Sequence, residues 1–130
     1  MLFLVHIFLM AGASLCFCAG VGMAMFGRKK KFWLTWHKRF NTAGICLFFA
    51  GAATALIHVE TSGGKHLAGL HHQVGSAAFF LASGTPVQAY FMLKAANRRT
   101  ARATHRWLGR VSLFAVGCAL VSGLFMIGIL

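Results

Sequence analysis

The sequence predicts an all-α membrane protein, an up-down-up-down bundle of four transmembrane helices forming one domain over residues 1–130. Three observations carry that prediction. Of the 130 residues, 58% are hydrophobic and a single one, Glu60, is acidic, which leaves too little mixed charge to clothe a soluble domain. Four apolar runs, roughly residues 2–26, 40–57, 67–93 and 107–130, each approach the ~20 residues that span a hydrocarbon core. Short links join them, and short links force antiparallel neighbours.

Each element has its own justification. The first helix, about 2–27, lacks a basic segment before its apolar stretch; its positive charges follow instead. It therefore reads as a retained, N-out span rather than a cleaved signal peptide. The second helix, about 36–58, ends before Gly63-Gly64, a turn signal. The third, about 67–94, contains Pro86, the only proline, which is expected to kink it and free a carbonyl. An inner loop from Asn97 to Thr104 then leads into the fourth helix, about 104–130. Cys16, Cys18, Cys46 and Cys118 all fall inside spans and read as small packing residues. No C-x-x-C-H motif for covalent haem attachment is present.

The formal net charge is +12, and its distribution argues against nucleic acid. Arg28, Lys29, Lys30, Lys31, Lys38 and Arg39 lie between the first and second runs. Lys94, Arg98, Arg99, Arg102, Arg106 and Arg110 lie between the third and fourth or at their edges. Only Lys65 sits in the middle connection, so twelve of the thirteen basic residues share one membrane face. That face is expected to be cytoplasmic, with both termini outside. The expected home is a bacterial inner (cytoplasmic) membrane, with the lipid bilayer and its anionic headgroups as first partners.

Seven histidines in so small a membrane chain require an explanation, because ionisable groups at membrane depth by default mark function. His6 on helix 1 and His71 or His72 on helix 3 lie near the outer face. His37 on helix 2 and His105 on helix 4 lie near the inner face. Diagonal helices of a bundle face one another, so these residues form two pairs, one per leaflet. Bis-histidine axial ligation of two haems has this arrangement. Small residues follow each histidine at helical spacing: Gly109, Ser112, Ala119 and Gly123 after His105; Asn41, Gly44, Gly51 and Ala55 after His37; Gly75, Ala78, Ala82, Thr85 and Ala89 after His71. Such stripes make room for a macrocycle, and they also serve ordinary helix packing. His72 projects a bulkier stripe of Ser76, Phe79, Ser83 and Tyr90, so His71 is preferred, with His72 second.

The motifs "VHIFLM", "WHKRFNTAG", "LHHQVG" and "THRWLGR", in that order over nearly the whole chain, resemble the cytochrome b561 family. The resemblance implies a four-helix transmembrane core with two b-type haems. It implies His6 and His71 as iron ligands of the outer haem, and His37 and His105 of the inner one. The activity it implies is stepwise electron transfer across the bilayer, an oxidoreductase role rather than conventional catalysis. Donor and acceptor would be a quinol, an ascorbate-like reductant or another cytochrome.

Arginines and lysines beside the inner ligands, Lys38, Arg39, Arg102, Arg106 and Arg110, are candidates to neutralise haem propionates, although topology alone also explains them. On the outer face, His58, Glu60, Lys65 and His66 form either a contact for propionates or a redox partner, or a solvated turn. Three rival readings compete: a haem-bearing, quinol-interacting anchor subunit of a respiratory complex, a small proton or metal transporter, and a packing subunit. The transporter is disfavoured by the single carboxylate. Self-association or membership of a larger complex fits either haem reading.

Overall fold

The computed structural model describes residues 1–129. The chain is all-helical: α1 (Leu2–Phe26), α2 (Trp33–Thr61), α3 (Leu70–Lys94) and α4 (Arg98–Met126), with no strand among the described residues. Three of these, α1, α2 and α4, are long and apolar enough to cross a membrane. α3 matches α1 in length at 25 residues, but His71, His72, Gln73, Ser76, Ser83, Thr85 and Gln88 dilute its apolarity. The expected fourth span therefore rests on its length, roughly 37 Å at 1.5 Å per residue. By contact, the chain separates into two compact units, Met1–Gly69 and Leu70–Leu130, and each is a helical hairpin.

In the first hairpin, the buried residues of α1 are Ala13, Phe17 and Gly20, and those of α2 are Gly44, Phe48 and Gly51. Both sets step by four and then three, the spacing that keeps one helix face turned to a neighbour. The helices run antiparallel: Gly51 lies against Leu9 and Met10, Gly44 against Phe17, and Gly20 against Asn41. The Phe17 and Phe48 rings meet edge to face, 5.7 Å apart at 79°. Gly44 admits the Phe17 ring, since a Cβ there would stand 2.8 Å from two of its carbons. Lipid is as apolar as these side chains, so close packing and hydrogen bonds, rather than water exclusion, hold the pair together.

The second hairpin repeats the logic with smaller residues. Ala78 and Ala82 of α3 pack on Ser112, Val116 and Ala119 of α4, the latter again stepping by four and three. The Thr85 and Ser112 hydroxyls are hydrogen-bonded, 3.0 Å apart. α3 runs unbroken through Pro86, and the Thr85 hydroxyl donates to the Leu81 carbonyl at 3.0 Å.

Several boundaries differ from the sequence expectation, each for a local reason. α2 runs from Trp33 rather than 36 and to Thr61 rather than 58. It stops there in a Schellman motif: Gly63 takes φ +66°, Gly64 N–H donates to the Val59 carbonyl at 3.0 Å, and Gly63 N–H donates to Glu60 at 3.3 Å. α3 begins at Leu70 rather than 67, because Leu67 sits at φ +60°, incompatible with a right-handed helix. The expected loop from Asn97 to Thr104 is instead helical. Asn97 is the N-cap, its side-chain oxygen accepting from Thr100 N–H at 3.1 Å, so α4 starts at Arg98 and the connection shrinks to residues 95–97. α4 ends at Met126 rather than 130, because Gly128 at φ +71° receives the chain into a second Schellman turn, with Ile129 N–H donating to Leu124 at 3.1 Å. Leu130 lies outside the described residues.

The first six residues of α4 hang on one cap, Asn97. Asn97→Ala is expected to cost about 1 kcal/mol of stability and to raise amide hydrogen exchange at Thr100 and Arg102 while leaving the turn at Leu113 protected.

Candidate functional site

Toward either end of each hairpin a half-buried histidine bonds across to the partner helix, and these four share one local chemistry; His58 and His72 are half-buried as well. His6 Nδ1 lies 2.8 Å from the Gly51 carbonyl across the first hairpin. At the opposite end of that hairpin, His37 Nδ1 lies 2.7 Å from the Gly20 carbonyl. In the second hairpin, His71 Nδ1 is 3.1 Å from the Ala119 carbonyl and 3.2 Å from the Ser122 hydroxyl. His105 Nδ1 is 3.0 Å from Oε1 of Gln88. A carbonyl only accepts, so in each case Nδ1 carries the proton and donates it. In a neutral imidazole that leaves the lone pair at Nε2, the nitrogen then suited to bind a metal.

The main-chain carbonyls that accept from His6, His37 and His71 belong to helix interiors, and two of them also take a hydroxyl, Gly51 from Thr54 at 2.8 Å and Ala119 from Ser122 at 2.9 Å. Small residues let the rings approach. A Cβ on Gly20 would collide with the Asn41 amide, which donates to the His37 main-chain carbonyl at 2.6 Å. A Cβ on Gly123 would stand 3.0 Å from Cε1 of His71. The small stripes expected to make room for a cofactor are thus largely spent on pairing the helices: Gly44, Gly51, Ala78, Ala82, Ser112 and Ala119 are all buried between hairpin partners. Two members behave differently. Gly75 and Gly109, one turn after His71 and His105, have nothing within 4 Å of where a Cβ would sit.

His72, the second choice on α3, differs from its neighbour. Its ring packs edge-on to His71, centroids 6.2 Å apart, while His71 holds the bonds to α4. The structure brings Arg39 over the Trp36 ring at 5.5 Å and Arg110 over Trp107 at 5.1 Å; Arg28 likewise lies over Trp33 at 5.9 Å and Lys94 over Tyr90 at 4.4 Å. These cation–aromatic pairs ring the basic ends of both hairpins, where amphipathic aromatics belong at a membrane surface. Lys38, Arg102 and Arg106 are exposed. At the far turn, His66 Nε2 pairs with Glu60 Oε2 at 3.1 Å with both side chains largely exposed, and Lys65 is exposed beside them. His58 packs on Phe3 at 5.8 Å. That turn is a solvated one.

Among the described residues, no group of three or more His, Cys, Asp or Glu side chains gathers as a metal site. Of the cysteines, Cys16 lies against Gly44, whereas Cys18 and Cys46 are exposed on their own hairpin. Sequence reading missed Gln88, Gly20 and Ser122 as partners of the histidines. A signal existed for Gln88, an amide deep in a long helix with no charge near it in sequence.

The donor set fits haem: four imidazoles oriented through Nδ1, two of them, His71 and His105, with a glycine one turn on. Three helices long and apolar enough to cross a bilayer make this an integral membrane protein. More particularly, the sequence model of a family described as eukaryotic cytochrome b561 matches residues 1–128, and the chain belongs to the cytochrome b561 family. No curated protein and no solved structure matches it. Membership brings transmembrane electron transfer with b-type haem.

The seat of His71 is open to test. Gly123→Ala is expected to displace the ring from the Ala119 carbonyl and lower stability by about 1 kcal/mol or more. Gly117→Ala, with nothing within 4 Å, should lose none in the same thermal melt in detergent.

Proposed function

We propose that the protein carries electrons across its membrane through two b-type haems. His6 and His71 ligate the haem on the side of the termini, and His37 and His105 ligate the haem on the side of the basic loops. The observation that supports this is the set of four Nδ1 anchors, at 2.8, 2.7, 3.1 and 3.0 Å, one toward each end of each hairpin. Four histidines anchored through the same ring nitrogen share one orientation, which packing alone does not require.

When bound, haem iron supplies the one-electron ferric–ferrous couple. The chain's residues do the rest. The Nδ1–H donors fix each ring and raise the basicity of Nε2. Lys38 and Arg106, exposed one residue beyond the basic-side ligands, neutralise propionates in this reading, while Arg39 and Arg110 are drawn to their tryptophans. The basic loops face the cytoplasm, both termini lie outside an inner membrane, and the redox partners are a quinol, an ascorbate-like reductant or another cytochrome.

A reduced-minus-oxidised spectrum with haem quantified per chain tests the reading, two haems being expected. His37→Ala or His105→Ala should each remove one haem and spare the other. Loss of both with the fold intact would count against independent sites. A colourless protein that binds zinc would favour the transporter instead.

A further inference from the structure

Three of the anchored histidines donate to main-chain carbonyls, which stay in place whatever side chain occupies the position. His105 differs, because its Nδ1 meets the side-chain oxygen of Gln88 on α3 at 3.0 Å. The other end of that amide is also engaged: Gln88 Nε2 donates to the Ala101 carbonyl at 3.0 Å. Ala101 and His105 are four residues apart on α4 and so lie one above the other on the same face. One side chain therefore grips two successive turns of its partner helix.

The two contacts together settle which atom is which. The Ala101 carbonyl only accepts, so the amide end against it is the NH2 group. The oxygen then faces His105, and a ring N–H must answer it. Turning the amide over would set two oxygens against each other at Ala101. The Ala101 bond thus locks the amide, and the locked amide holds the His105 proton at Nδ1.

We propose that Gln88 is a positioning residue for His105: through Oε1 it holds the ring's tautomer and sets the donor strength of Nε2, and thereby the potential of the haem that His105 ligates. This rests on the ligand role proposed for His105. A hydrogen bond accepted from Nδ1–H pushes electron density into the ring, and a more electron-rich imidazole favours ferric over ferrous iron. Weakening that bond raises the potential, and strengthening it lowers the potential.

Haem-loaded full-length protein is compared by spectroelectrochemical titration, with electron paramagnetic resonance reporting ligand ring orientation. Gln88→Met removes both polar ends at similar size. It is expected to raise the midpoint potential of one haem, alter the resonance of that haem alone, and leave the other unchanged at full occupancy. Gln88→Glu gives up the Ala101 bond but can turn a charged, stronger acceptor to the His105 N–H, and should lower the same potential. A role confined to helix packing would reduce thermal stability and move neither potential, and that result would overturn the proposal. Should Gln88→Met fail to assemble, Gln88→Glu decides alone, a fall in one potential supporting the proposal and no shift refuting it. His105→Ala separates the two layers. If it keeps both haems, the ligand assignment fails and the proposal with it. If it loses one haem while the Gln88 variants match wild type, only the proposal fails.

Discussion

Everything distinctive in this molecule depends on how a histidine is held inside a helical hairpin. In water, a ring nitrogen finds a partner anywhere; in a membrane, an unsatisfied donor is costly. Here each of the four rings reaches across its own hairpin and gives its Nδ1 proton to the facing helix. The bond does two things at once. It contributes an interhelical hydrogen bond, a contact worth on the order of 0.6 kcal/mol on average in such settings. It also sets the tautomer of the ring, placing the proton at Nδ1, and in the proposed function that leaves Nε2 for the haem.

That arrangement explains why the small residues lie where they do. Gly20 and Gly123 bare the backbone so that a ring or an amide can approach it, and the Gly51 carbonyl takes the Thr54 hydroxyl at 2.8 Å as well as His6. Gly44 serves a different end, receiving Phe17 at the middle of the first hairpin. The stripes are consequently first a packing device. Of the glycines in those stripes, Gly75 and Gly109 stay clear of neighbours among the described residues, and both follow a histidine by one turn. The aromatic residues at the basic ends add a second constraint: Trp33, Trp36, Tyr90 and Trp107 each lie beneath a cation, which fixes how the helix ends meet the headgroup region.

Much of this was legible in the residues themselves. A chain with one carboxylate and four long apolar runs has few choices, and the histidines announced themselves by being expensive where they stood. Helix ends were less legible. Arg98 to Thr104 read as a loop because five of the first thirteen residues of α4 are arginines. Charge marks where a helix leaves lipid, not where it stops, and the Asn97 cap decided the latter. The final Schellman turn at Gly128 was equally hidden, since a glycine near a terminus looks the same in a helix and in a turn.

The sequence by itself determined the membrane class, the clustering of charge along the chain and the helix on which each histidine stands, because each follows from composition and from spacing along one helix. Partnership was beyond it. That His6 meets Gly51, that His37 meets Gly20 and that Gln88 reaches both Ala101 and His105 depends on the register between two helices. Register is set by the interlocking of Phe17 with Gly44 and of Ala78 and Ala82 with Ser112 and Ala119, contacts between residues far apart in the chain. Periodicity tells which face of a helix is turned inward. Only the packed pair tells which atom waits on the other side.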